Sequence, residues 1–165
     1  MTLLSTLAWL LPAGAVAGLA GAVAMDVPMG RHPEGWTPAF VAASVLRRTD
    51  PGAVRFRDAS LVHHAAGVAA GVLYALLAAP LGVVLAGTVP TPGVGPSLPV
   101  AAHLLAALCV VAFVYAFFAH LVLPRAGEGV SGDRTTAVRG QWFRSAVVFG
   151  TALVVVVPVV GWAVG

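Results

Sequence analysis

Asp26, His63, His64 and His120 are the residues through which this chain can do chemistry. Asp26 closes the first long apolar run, His63 and His64 open the second, and His120 stands near the end of the third. At about 1.5 Å per helical residue, all four fall within a turn or so of one membrane face. Imidazole nitrogen and carboxylate oxygen suit zinc-like ions, and the nearby thioethers of Met25 and Met29 suit Cu(I). These four residues are therefore the candidate metal set, with Arg144 at the mouth of the fourth span. His64 and His120 are also the candidate cofactor ligands, an axial pair for haem b with Arg side chains at the propionates. A second stacked haem is excluded, because His103 and His120 lie about 100° apart around one helix. His64 is the inward member of its pair, since it shares a face with Gly67 and Gly71, whereas His63 points toward Ala66 and Ala70. The plainer alternative has Asp26 capping a helix or pairing with Arg, while the histidines bond backbone carbonyls or reach toward headgroups.

The elements that must carry these residues follow from the charge pattern. Nine arginines and six carboxylates all fall within Asp26 to Asp58 and Arg125 to Arg144. The rest is uncharged and mostly apolar, and it divides into four stretches of membrane-spanning length, residues 3–25, 61–86, 98–123 and 145–164. With 59% hydrophobic and 9% charged residues, the fold class is an all-α integral membrane four-helix bundle, a single membrane domain over residues 1–165. The net charge of +3 follows topology and gives no nucleic-acid signal. Arg-rich first and third loops belong in the cytoplasm, which puts both termini outside a multi-pass cell-membrane protein. Ala22-Val23-Ala24 has the pattern of a leader-cleavage site, but no Lys or Arg precedes the run, so residues 1–24 are expected to stay as a span.

Within the first loop, Thr37-Pro38 starts a short interfacial helix running to Arg48, with Phe40, Val41, Ser44 and Val45 on one side. Asp58 or Ser60 is expected to cap the second span. In the third loop, Gly127, Gly129 and Gly132 form a flexible linker up to a cap at Asp133. Small residues at four-residue spacing mark helix contacts in lipid: Gly14, Gly18 and Gly21 on the first span, Gly67 and Gly71 on the second. These two spans should pack tightly and antiparallel. Pro12, Pro80 and Pro158 kink their spans, and His103 should bond a carbonyl freed by Pro12 or Pro158. Tyr74 and Tyr115 should hydrogen-bond between helices. Trp9 and Trp162 belong to an outer aromatic belt, Trp142 to an inner one. Cys109, the lone cysteine, reads as a small buried hydrophobe.

The run from Gly18 to Met25-Asp26 resembles the small-residue first helix ending in Met-Asp of the YagU-like and related uncharacterised four-helix membrane families. His64-Ala65-Ala66-Gly67, followed by Tyr74, is similar to the His-x-x-x-Gly opening of their second helix. The likeness covers the first half of the chain, and it implies a four-span inner-membrane protein with Asp26 and His64 as the positions to test.

No charged residue occupies the bilayer midplane, which counts against a coupled pump, and no Ser or Cys stands beside a base with an orienting acid. The expected protein is thus non-enzymatic and without a resident cofactor. The first expectation is an accessory or scaffold subunit packing with itself, as a homo-oligomer, or with a larger membrane partner, because its small-residue faces exceed the needs of one bundle. A metal- or haem-binding membrane protein is the alternative, and a small channel or transporter the second.

Overall fold

A computed structural model describes residues 2–86, 93–95, 98–126, 130 and 132–164. Helix α1 runs over Leu3–Arg31, α2 over Thr37–Arg47 and α3 over Phe56–Leu85. Helix α4 runs over Val100–Ala126 and α5 over Asp133–Val164. Helices α1, α3, α4 and α5 are long and apolar enough to cross a bilayer, so the all-α bundle of four spans is observed. Between α3 and α4, β1 (Gly93–Val94) pairs antiparallel with β2 (Leu98–Pro99), an element the sequence pattern did not announce.

The spans are longer than the apolar runs. Helix α1 continues six residues past Met25, and α5 begins at Asp133, before its apolar stretch. The added turns are amphipathic: Val138 and Trp142 are buried while Arg134 and Arg144 are exposed. The arginine-bearing connections gather at one end of the bundle, where Arg47 pairs with Asp58 at 2.7 Å and Arg134 with Glu34 at 2.6 Å. Asp58 is accordingly not the cap of α3. That helix starts at Phe56 without a side-chain cap, leaving Asp58 in its first turn free to meet Arg47 and Ser60 a turn inside. Helix α2 forms as expected, but it buries Pro38, Ala39, Val41, Ala43 and Ser44, and leaves Val45 half exposed. Gly127 and Gly129 lie outside the described residues. Gly132 takes a left-handed φ of 58° immediately before α5.

Antiparallel packing of α1 on α3 is set by glycine. A Cβ on Gly14 would strike the carbonyl of Gly71, and one on Gly18 that of Gly67. Lipid gives no hydrophobic drive for helix association, so this close backbone approach supplies the contact. Gly21 serves a different neighbour, Phe149 of α5, whose ring would lie 2.7 Å from an added Cβ. At the opposite end from the arginines, Trp9 packs where Gly161 and Gly95 meet, and Gly95 has a φ of 58° that favours glycine. Trp9 and Trp142 are therefore core residues and not belt residues, whereas Trp162 is exposed. Cys109 is exposed on α4, because Ala102, His103, Ala106 and Val110 form the buried stripe of that helix.

Helix α4 widens to π-helical turns over Phe117–Val122. Pro124 explains it: its ring would collide with the carbonyl of His120 in an α-helix, and it carries no N–H. Leu123 N–H bonds Phe118 O, so the next donor in that register, for Ala119 O, would be the missing N–H of Pro124. Arg139 of α5 donates to Ala119 O instead, at 3.1 Å. Arg125 donates to Leu121 O at 3.5 Å.

The Arg134 hydrogen bonds hold the Glu34 carboxyl below its ordinary 4.5, partial burial opposes this, and the Thr37 hydroxyl assists. A depressed folded-state pKa stabilises the fold above the unfolded value, and the effect disappears as pH falls through the folded value. Glu34→Gln should therefore cost about 0.5 kcal/mol or less near neutrality, since Arg134 is half exposed and screened. In detergent unfolding monitored by circular dichroism, the gap between wild type and variant should close in acid below pH 4.5. A gap that stays constant with pH would contradict the pairing.

Candidate metal centre

Three of the four predicted residues meet. Asp26 lies on α1 two turns beyond Gly18, and His63 and His64 lie on α3 about one turn before Gly67, so antiparallel packing through the glycines brings them to one level. One ligand atom from each of Asp26, His63 and His64 lies within 4.8 Å of the others. His64 Nε2 is 3.1 Å from Asp26 Oδ2, and His63 Nε2 is 3.4 Å from Asp26 Oδ1. His120 does not join them. It is exposed on the widened segment of α4, edge-on to Tyr115 at 6.1 Å between ring centroids. The His64 and His120 pair expected for haem b is thus not assembled.

The two adjacent histidines differ in the reverse of the expected sense. His63 is the buried one, at 7% exposure, because Trp36 at the start of α2 stands edge-on to it and α2 closes over that side of α3. Its Nε2–H donates to Ala22 O at 3.0 Å. His64 is partly open, with its side chain 25% exposed. Its Nδ1 lies 2.8 Å from Ser60 O, a carbonyl that only accepts, so Nδ1 carries the proton and donates.

That assignment fixes the electrostatics. With Nδ1 donating, the Nε2 that faces the carboxylate oxygen at 3.1 Å either carries a second proton, which makes an ion pair, or shares a metal cation with that oxygen. Asp26 Oδ1 is buried and has no hydrogen-bond partner. No arginine neutralises this carboxylate among the described residues, since Arg47 goes to Asp58 and Arg134 to Glu34. A histidine that gives one N–H to a backbone carbonyl and turns its other nitrogen toward an acid is oriented as metal-binding histidines are. The donor set fits a zinc-like ion, with three protein ligands and one open position. Met25 and Met29 are buried, Met25 in the wall of an adjoining cavity, and Arg144 is exposed.

That cavity, of about 400 Å³, lies between all five helices and has His63 in its wall. Sequence reasoning missed it. Its signal was the alanine stripe Ala66, Ala69, Ala70 on α3, lying across from the phenylalanine-rich end of α4.

Farther from the arginines, Tyr74 and His103 form a second buried polar group. The Tyr74 hydroxyl donates to His103 Nδ1 at 2.6 Å, and His103 Nε2–H donates to Val154 O at 3.2 Å. Val154 is four residues before Pro158, so its carbonyl is the one that this proline frees. Tyr115 forms no such bond among the described residues and makes ring contacts with His120 and Phe143. His103→Ala should cost about 2–4 kcal/mol, having stranded two polar groups and opened a void, while Tyr74→Phe should cost about 1 kcal/mol. Equilibrium unfolding in mixed micelles measures both. Wild-type stability in His103→Ala would refute the assignment.

No family model, curated protein or solved structure matches this chain, so the chemistry of the centre follows from its geometry alone.

Proposed function

We propose that this multi-pass membrane protein binds one divalent transition-metal ion through Asp26, His63 and His64, at the cytoplasmic edge of the bundle. The observation that carries the reading is the approach of His64 Nε2 to Asp26 Oδ2 with the other imidazole proton already given to Ser60 O. A metal cation shared between these atoms joins them and also supplies the partner that buried Asp26 Oδ1 lacks. His63 completes the set when its proton moves from Nε2 to Nδ1 and the freed Nε2, already 3.4 Å from Asp26 Oδ1, turns from Ala22 O toward the ion. The cytoplasmic placement rests on the arginines gathered at that end. Three ligands with an open fourth position suit an ion that is held and passed on, or that meets a further ligand, and no catalytic group is assigned.

The expectation of an accessory or scaffold subunit rested on surplus small-residue faces. In the bundle Gly14 and Gly18 meet Gly71 and Gly67, Gly21 meets Phe149, and Gly150 meets Val111. Those faces are packed inside the chain, and the metal reading needs no partner.

Cobalt(II) titration of the purified, chelator-stripped protein tests the reading. One ion per chain should bind with the intense visible bands of a low-coordinate site. Asp26→Asn and His64→Ala should each weaken binding about tenfold or more, whereas His120→Ala should bind as wild type. Absence of binding, or binding unaffected by Asp26→Asn and His64→Ala, would overturn it, with His64 protonation then the cation that joins the pair.

A further inference from the structure

The cavity beside the metal centre has a composition that a void left by loose packing does not explain. Its wall holds the five aromatic rings of Phe113, Phe117, Phe118, Trp142 and Phe149, and the imidazole of His63. A volume of about 400 Å³ falls within the roughly 300–1,000 Å³ of sites that take small organic molecules. Access is from the bilayer, not from water: Ala66 and Ala69 of α3 and Phe113 and Phe117 of α4 line the cavity and are also exposed on the lipid side of the bundle.

We infer that this cavity binds a membrane-dissolved planar ring bearing a hydroxyl group, of the phenol or quinol class. An acyl chain gains nothing by leaving lipid for a wall of equal polarity. A flat ring gains edge-to-face and offset contacts with several aromatic side chains, at about 0.5–1.5 kcal/mol each beyond area alone. The hydroxyl follows from His63. With Nε2–H given to Ala22 O, Nδ1 of the neutral ring is an acceptor, and it has no hydrogen-bond partner among the described residues. It calls for a donor on the ligand.

The inference concerns the metal-free protein and stands apart from the metal reading. The test is equilibrium binding of labelled 1-naphthol, with naphthalene as the ring lacking a hydroxyl, to the full chain in lipid nanodiscs containing chelator, measured against empty nanodiscs. Naphthol should bind saturably, one per chain, and naphthalene about three- to tenfold more weakly, the worth of one hydrogen bond. His63→Phe should bring the two ligands to equal affinity. Ala66→Phe, placed on the exposed wall where folding is not at stake, should weaken both. Asp26→Asn, which removes a metal ligand but no part of the cavity wall, should keep the naphthol preference, so the two readings fail separately. Uptake no greater than in empty nanodiscs, equal affinities in wild type, or undiminished naphthol binding by Ala66→Phe would overturn the inference.

Discussion

Backbone contact between Gly14 and Gly71, and between Gly18 and Gly67, is the constraint on which the rest of this molecule depends. In a bilayer the gain from association is close packing, and only glycine lets two helix backbones come this near. The contact also fixes an axial register. Ala22 stands four residues beyond Gly18 and His63 four before Gly67, so the next pair of turns along the antiparallel helices places Ala22 O under His63 Nε2. One further turn delivers Asp26 to the two imidazoles. The cluster of Asp26, His63 and His64 is in this sense an extension of the glycine face.

A second theme is the fate of carbonyls that proline leaves without a donor. Water is absent from the bilayer core, and each unmatched backbone group there is costly. Pro158 strands Val154 O, which His103 serves, and Pro124 leaves Ala119 O to Arg139. His103 and Arg139 each restore a broken backbone ladder, whereas His63 and His64 turn ring nitrogens toward Asp26. Both ring nitrogens of His103 are bonded, which identifies it as structural, whereas Asp26 Oδ1 has no hydrogen-bond partner.

Long-range pattern made the bundle legible. Charge-free runs of bilayer length located the four spans, and glycine spacing identified α1 and α3 as partners. The level of Asp26, His63 and His64 followed from helix rise alone, as did the role of His103 at a proline-freed carbonyl. What escaped was set by side-on geometry. His63 exchanged roles with His64 because α2 and Trp36 fold over one flank of α3, a contact that no periodicity within α3 encodes. His120 left the group because Pro124 forces wide turns into α4. Trp9, Trp142 and Cys109 were misplaced for a common reason: depth in the membrane can be counted along a helix, whereas the direction a residue faces depends on which neighbours pack there.

The central claim is that the glycine contact holds Asp26 against His64. Dipolar recoupling by solid-state NMR, between the imidazole nitrogens of His64 and the carboxyl carbon of Asp26 in bilayer-embedded protein, measures it directly. The account predicts a strong coupling to Nε2, matching a nitrogen–oxygen separation of 3.1 Å, and its loss in Gly18→Leu, whose side chain would drive the two helices apart. No coupling in the wild-type protein, or an equal coupling in Gly18→Leu, would contradict it.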